Sequence, residues 1–307
     1  MTIDPQIQTL LDTLSANDML PLIRATAAET RAHYKALSMA RRGDGYVPEQ
    51  VAAVRNTHIV GPGGDIAVRI YTPSDDRARV VTYLHGGGWV VGDLDTHDPV
   101  CRRIANALGA VVISVDYRLA PEHPFPAPLD DSMAALDWVA TTFPERAHIV
   151  AGDSAGGSLA AGCALLARDK GLKLAAQLLL YPSTDPGLSQ PAMTDNAEGY
   201  FLTKPAMAWF YDQYLDDPDD ASRPEVDLLH APDLTGLPPA LIATAEYDPL
   251  RDDGIAFARQ LETAGVRAQH IPGPGLIHGY FGFLGAVDLA DTQVEKVLNA
   301  LIDLLEG

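Results

Sequence analysis

From residue 80 onward, short β-branched runs alternate with stretches of ten or more residues that read as helix. This alternation leaves little room for anything but a mostly parallel sheet covered by helices on both faces, an α/β architecture. Strands are expected at 80–84, 110–115, 147–151, 175–181, 240–245 and 266–271, and helices at 97–108, 127–142, 155–169, 253–264 and 287–305. Upstream, 54–60 and 65–71 flank Gly61-Pro62-Gly63-Gly64 and read as a hairpin, an antiparallel edge to the same sheet. Residues 1 to about 45 read as helical. Asp4-Pro5 suits a helix start, Ile7, Leu10, Leu11 and Leu14 form an apolar face, and a second run over 20–42 stops before Gly43-Asp44-Gly45.

One segment breaks the rhythm. Almost 60 residues separate the strand ending near Tyr181 from the one starting at Ala240, and they include a helix-like stretch at 204–215. A connection this long is usually a functional insertion. It is expected to join the N-terminal helices in a discontinuous helical cap, 1–50 with 186–230, above a catalytic domain formed by 51–185 and 231–307.

Composition narrows the function. The net charge of −19 opposes a nucleic-acid binder, which needs basic groups to displace counterions from phosphate. It also opposes electrostatic docking on anionic membranes. No run of 18 uncharged apolar residues is present, and the start Met1-Thr2-Ile3-Asp4-Pro5 lacks the features of a signal peptide, so a cytoplasmic location is expected. Cys101 and Cys163 are too few for a disulfide scaffold or a thiolate metal site and read as small buried hydrophobes. Part of the negative charge is concentrated in 212–227, where Asp212, Asp216, Asp217, Asp219, Asp220, Glu225 and Asp227 face only Arg223. If this run rims an entrance, it disfavours anionic substrates; otherwise it is a solvated face.

The strongest local signal is Gly152-Asp153-Ser154-Ala155-Gly156-Gly157. An apolar strand precedes it and a small-residue helix follows it, the setting in which G-x-S-x-G becomes a nucleophile elbow. Gly152 and Gly156 remove side chains from the tight turn, and Ser154 is the candidate nucleophile. Asp153 beside it is a candidate for orienting the elbow. The second signal is His85-Gly86-Gly87-Gly88-Trp89 directly after a strand. Acyl transfer needs donors aimed at the oxygen that becomes negative, and the N–H groups of Gly86 and Gly87, with that of Ala155, suit the role. Gly88 and His85 are assigned supporting parts. The loop lacks both the lysine of a phosphate loop and the spacing of a dinucleotide fingerprint.

A base and an orienting acid are expected in the chain order Ser, Asp/Glu, His. Of His230, His270 and His278, the last sits in a loop after the final strand and is the best base; His270 reads as a contact on the sheet. Asp248 follows strand 240–245 at its carboxyl end, where ligands gather in open α/β sheets. Glu246, Asp252 and Asp253 are nearby competitors, of which Asp252 and Asp253 read as the acidic start of a helix. Trp89, Tyr200, Phe201, Met207, Phe210 and Phe281 are candidates for a substrate pocket.

Together these motifs resemble the hormone-sensitive-lipase-like branch of the α/β-hydrolase esterases. His85–Trp89 is similar to its oxyanion motif, Gly152–Gly157 to the GDSAGG form of its elbow, Tyr117-Arg118-Leu119-Ala120-Pro121-Glu122 to its YRLAPE signature, and Asp248–Asp252 and His278-Gly279 to its acid and base blocks. The similarity covers roughly 55–305. It implies a Ser154–His278–Asp248 triad, a helical cap, and hydrolysis of short- to medium-chain acyl esters through an acyl-enzyme, with no metal or organic cofactor. It also implies a small-molecule ester as partner and suggests a homodimer. Tyr117, Arg118 and Glu122 read as braces below the oxyanion loop. The same triad could serve an amide, a carbamate or a specific acetyl ester. A non-catalytic small-molecule binder is the more distant alternative.

Overall fold

The computed structural model describes residues 2–42 and 46–307. Gly43-Asp44-Gly45, where the second helical run was expected to stop, lies outside the described residues. In chain order the elements are α1 (Pro5–Ala16), α2 (Ala27–Ala40), β1 (Ala53–Gly61), β2 (Gly64–Thr72), β3 (Arg79–Leu84), α3 (Asp98–Leu108), β4 (Ala110–Asp116), α4 (Ala127–Thr142), β5 (Ala147–Asp153) and α5 (Ala155–Lys170). They continue as β6 (Ala176–Leu180), α6 (Ala192–Asp195), α7 (Lys204–Tyr214), β7 (Ala240–Tyr247), α8 (Arg251–Thr263), β8 (Ala268–Ile277) and α9 (Asp288–Glu306). Short 3-10 turns cover Pro218–Ser222, Leu228–His230 and Tyr280–Phe283.

The strands form one eight-stranded sheet in the order β1-β2-β4-β3-β5-β6-β7-β8. The pairs β1/β2 and β2/β4 are antiparallel and the others parallel. This is the α/β-hydrolase fold that the family resemblance implies, and its mostly parallel sheet is the one the alternation of strands and helices predicts.

Every residue of β3 is buried, and successive side chains serve opposite faces. Val80 and Leu84 join one core with Leu129 and Met133 of α4, Leu159 of α5 and Phe257 of α8. Val81 and Tyr83 join the other with Ile104 of α3 and Val297 and Leu301 of α9. Cys101 and Cys163 are buried free thiols, one in each core, and burial pushes both well above the ordinary thiol range.

Helix starts follow local chemistry. Asp4 caps α1 by accepting from the N–H groups of Gln6 and Ile7. Thr26 and Glu29 form a reciprocal capping box on α2. Only this box starts α2, so it is shorter than the expected 20–42 run; residues 17–26, which include Pro21, are not helical.

The largest departure from the sequence reading is β8, which continues six residues past Ile271 to Ile277. Pro272 and Pro274 argue against a strand in a sheet interior, but β8 is an edge strand and needs no donor on its open side. That edge receives the N–H of Asp4 on the carbonyl of Gly275 at 3.1 Å. The extension has a consequence for the site. Ala245 pairs with Gly273 but Tyr247 pairs with Ile277, so β8 absorbs two extra residues opposite β7. The irregularity brings the residues that follow these strands, Asp248 and His278, side by side.

Candidate active site

Ser154 stands at the carboxyl end of β5, at φ 55° and ψ −123°, between the strand and the first turn of α5. A positive φ is unfavourable for a non-glycine residue, about 1–3 kcal/mol, and persists only where the surroundings enforce it. Here β5 is fixed between β3 and β6, and the Ser154 N–H donates to the Leu180 carbonyl at 2.8 Å. The turn also needs bare backbone: a Cβ on Gly156 would lie 2.0 Å from the Leu84 carbonyl oxygen. Gly152 packs equally closely against Gly156.

His278 Nε2 lies 3.0 Å from Ser154 Oγ, and its Nδ1 lies 2.7 Å from Asp248 Oδ2. These distances suit a Ser154 hydroxyl donating to Nε2 and an Nδ1–H donating to the carboxylate. Asp248 is fully buried, and its Oδ1 accepts the Leu250 N–H at 2.8 Å. Asn196 of the insertion, which sequence reading did not single out, donates to the backbone carbonyls of Glu246 and Asp248, both at 3.1 Å. The His278 ring stands edge-on to Tyr181 with centroids 4.8 Å apart. Asp252 and Asp253 lie in the first turn of α8 as expected. Asp253 is also buried: it accepts the N–H groups of Thr184 and Asp185, and burial pushes its carboxyl well above the usual range. His270 bonds Thr244 Oγ1 at 2.8 Å on the sheet, away from the serine.

The oxyanion loop requires a correction. The Gly86 N–H, expected to face the substrate, is already committed to Asp153 Oδ1 at 2.9 Å. Gly87, Gly88 and Ala155, which line the same cavity as Ser154, carry N–H groups with no protein acceptor among the described residues. Gly88, unlike Gly86, keeps an unengaged N–H beside that of Gly87. Gly87 adopts φ +128°, which glycine alone reaches without strain. Asp153 anchors this loop. Its Oδ1 accepts from both Gly86 and the Tyr83 hydroxyl (2.6 Å), while Oδ2 faces His97 Nε2 at 3.3 Å. Burial alone would raise its pKa, but His97 and the hydrogen bonds from Tyr83 and Gly86 outweigh it and hold the carboxyl down at about 2. His97 and Tyr83 carried no sequence signal, because their function appears only when β3, β5 and α3 are assembled.

His85 lies behind the loop. Its ring stacks on Tyr117 at 4.3 Å and on His97 at 5.4 Å, and Nδ1 bonds the Gly86 carbonyl. Burial, with His97 adding to it, lowers its pKa to about 4, so the ring is neutral at pH 7. Tyr117 donates to the His85 carbonyl at 2.6 Å. Arg118 holds the buried Asp131 by two short bonds, and Glu122 pairs with Arg31 of α2. The two charged braces therefore have separate partners.

Ser154, His278, Gly87, Gly88 and Ala155 line a cavity of about 50 Å³, to which α2 adds Tyr34 and Arg41 and α7 adds Met207 and Phe210. Phe201 also lines it; Trp89, Tyr200 and Phe281 do not. Trp89 is buried beneath the insertion, stacked on Tyr214 at 4.3 Å. Tyr200 packs on Tyr247, and Phe281 belongs to the core beside Tyr181 and Tyr280. None of the acidic residues of 212–227 lines the cavity. Among the described residues no group of three or more His, Cys, Asp or Glu is placed to hold a metal ion, and no helix is long and apolar enough to cross a membrane.

Residues 81–282 match the family model described as the alpha/beta hydrolase fold. Carboxylesterase NlhH of Mycobacterium tuberculosis is 43% identical across 97% of this chain and 95% of its own. Ethyl acetate hydrolase of Pseudomonas putida is 34% identical across 98% and 99%. The hyperthermophilic esterase from the archaeon Pyrobaculum calidifontis superposes with a TM-score of 0.92 at 39% identity, covering 99% of both chains. The chain belongs to the α/β-hydrolase family, among the relatives of the hormone-sensitive-lipase-like microbial esterases. Within that family it is a serine-type carboxylic ester hydrolase.

Proposed function

We propose that Ser154, His278 and Asp248 form the catalytic triad, that Gly87, Gly88 and Ala155 bind the oxyanion, and that the substrates are short- to medium-chain acyl esters. The observation carrying this reading is the hydrogen-bonded line from Ser154 Oγ through His278 to the buried Asp248. In the first half-reaction His278 takes the serine proton as the hydroxyl attacks the ester carbonyl. The charge that develops on the carbonyl oxygen meets the three N–H groups, and Asp248 stabilises the imidazolium. His278 then returns the proton to the leaving alcohol, and water repeats the sequence on the acyl-enzyme.

The acyl-length preference is supported by the small cavity, several times the ~10–15 Å³ needed for one water. A larger groove of about 700 Å³ lies beside it, between α1 and α7, and shares Leu22 and Phe201 with it. We assign that groove to the distal carbons of medium-length chains. The discontinuous cap of 1–50 with 186–230 is part of the same proposal, supported by the cavity walls that α2 and α7 provide. Cytoplasmic residence and homodimerisation complete it; cell fractionation and light scattering test them.

A p-nitrophenyl ester series from acetyl to decanoyl tests the reading. Rates are expected to peak at or below about six carbons, and Ser154→Ala is expected to lose roughly 10⁴-fold or more in kcat with an unchanged melting temperature. Full activity in that variant would sink the triad assignment.

A further inference from the structure

Arg41, the C-cap residue of α2, is 5% exposed and lines the cavity that holds Ser154 and His278. Among the described residues no carboxylate pairs with it, although the chain carries 41 acidic residues against 22 basic ones. Three aromatic rings surround its guanidinium: Cζ lies 5.3 Å from the ring centroids of Phe201 and Phe283 and 5.8 Å from that of Tyr34. Nη2 donates to Ser38 Oγ at 3.0 Å, while Nε is buried with no acceptor. The side chain lies against the backbone that follows the candidate base: a Cβ built on Gly279 or Gly282 would stand 3.8 or 3.7 Å from Nη1.

Aromatic faces attract a cation but do not satisfy in-plane N–H donors. A buried guanidinium left in that condition is costly unless an anion completes it. A carboxylate is the group that matches the planar donor fork of an arginine. The acidic run of 212–227 lines neither this cavity nor the adjoining groove, so it is not placed to block such a ligand at contact distance.

We propose that Arg41 is a specificity-determining residue and forms an anion subsite, so that this esterase takes esters whose acyl or alcohol arm ends in a carboxylate. The proposal rests on the esterase reading above. It concerns which ester is selected and adds no chemical step: water still divides the ester into an acid and an alcohol.

Two matched pairs test it, followed by titration of released acid. Monomethyl glutarate against methyl pentanoate probes the acyl arm; 3-acetoxypropanoate against butyl acetate probes the alcohol arm. In at least one pair the wild-type protein is expected to prefer the anionic ester in kcat/KM. In that pair the anionic-to-neutral ratio is expected to fall at least tenfold in Arg41→Gln, with Arg41→Lys intermediate because an ammonium lacks the planar fork. Melting curves accompany each variant. If Arg41→Gln does not fold, Arg41→Lys and competitive inhibition of the wild type by glutarate carry the test. Wild-type discrimination against both anionic esters, or ratios unmoved by either variant, would overturn the proposal. Failure to hydrolyse the two neutral esters as well would instead count against the esterase reading.

Discussion

The strand ends and the helices that cover them meet at one cavity, yet they treat buried charge in opposite ways. On the strand side, Asp153 is buried and its carboxylate is engaged at both oxygens, by Tyr83, Gly86 and His97. On the helical side, Arg41 is equally buried, has no counter-charge among the described residues, and keeps a donor without an acceptor. A fully satisfied buried network rigidifies and specifies its surroundings. An incomplete one is a place where a ligand can supply what the protein does not. On the proposed reading, the strand side holds fixed the groups that react, while the cover presents groups that select.

Substitutions at three residues probe this contrast, from the largest expected effect to the smallest. Asp248→Asn removes the carboxylate that orients His278 and is expected to lower kcat by about 10³–10⁴-fold, read from initial rates on p-nitrophenyl butyrate. A loss below tenfold would mean that the buried acid does not hold the imidazole in place.

Asp153→Ala strands the Tyr83 hydroxyl, the Gly86 N–H and His97 in the interior. About 3 kcal/mol of stability is expected to disappear in urea titrations, together with at least tenfold in kcat as the oxyanion loop loosens. The pH dependence has a definite sign. The Asp153 pKa is held at about 2 in the folded protein, below its ordinary 3.8, so its contribution is full above pH 4 and is lost as pH falls toward 2. The stability gap between wild type and Asp153→Asn is therefore expected to narrow across that window. A gap independent of pH would contradict the charged network.

The smallest effect belongs to the tie between the two halves. Arg31 of α2 donates to the carbonyls of Val90 and Ala120 as well as to Glu122, whose carboxylate is half exposed. The hydrogen bond from Arg31 holds the Glu122 pKa at about 2. Solvent screens this pair, so Glu122→Gln is expected to cost less than about 1 kcal/mol in the same titrations. The carbonyl bonds remain in that variant. A cost of several kcal/mol would show that the ion pair, and not the backbone contacts, fastens α2 to the core.

The two halves were also unequally legible. The strand–turn–helix context of Ser154 is a local property that a sequence displays, and the chain order of the motifs points to Asp248 and His278 in the loops expected after the last two strands. The donor assignment failed by one residue because Gly86, Gly87 and Gly88 are chemically identical; only the carboxylate on neighbouring β5 distinguishes the first from the others. Trp89, Tyr200 and Phe281 were plausible pocket residues on hydrophobicity, which cannot separate a cavity wall from a core. Arg41 gave no signal, since an arginine at the end of a helix ordinarily faces water.

What the chain determines by itself is the period of its hydrophobic pattern and the order of its motifs. These specify the parallel sheet, the elbow, and the ends of strands where the acid and base stand. The tertiary structure decides which identical groups are already occupied and which charges are left without partners. It also decides, through the two extra residues that β8 absorbs opposite β7, that Asp248 and His278 arrive side by side. The reason is physical: backbone propensity and burial periodicity act over a few residues. Hydrogen-bond satisfaction and desolvation are settled only between segments that folding brings together, here His97 with Asp153 across 56 residues and Ser154 with His278 across 124.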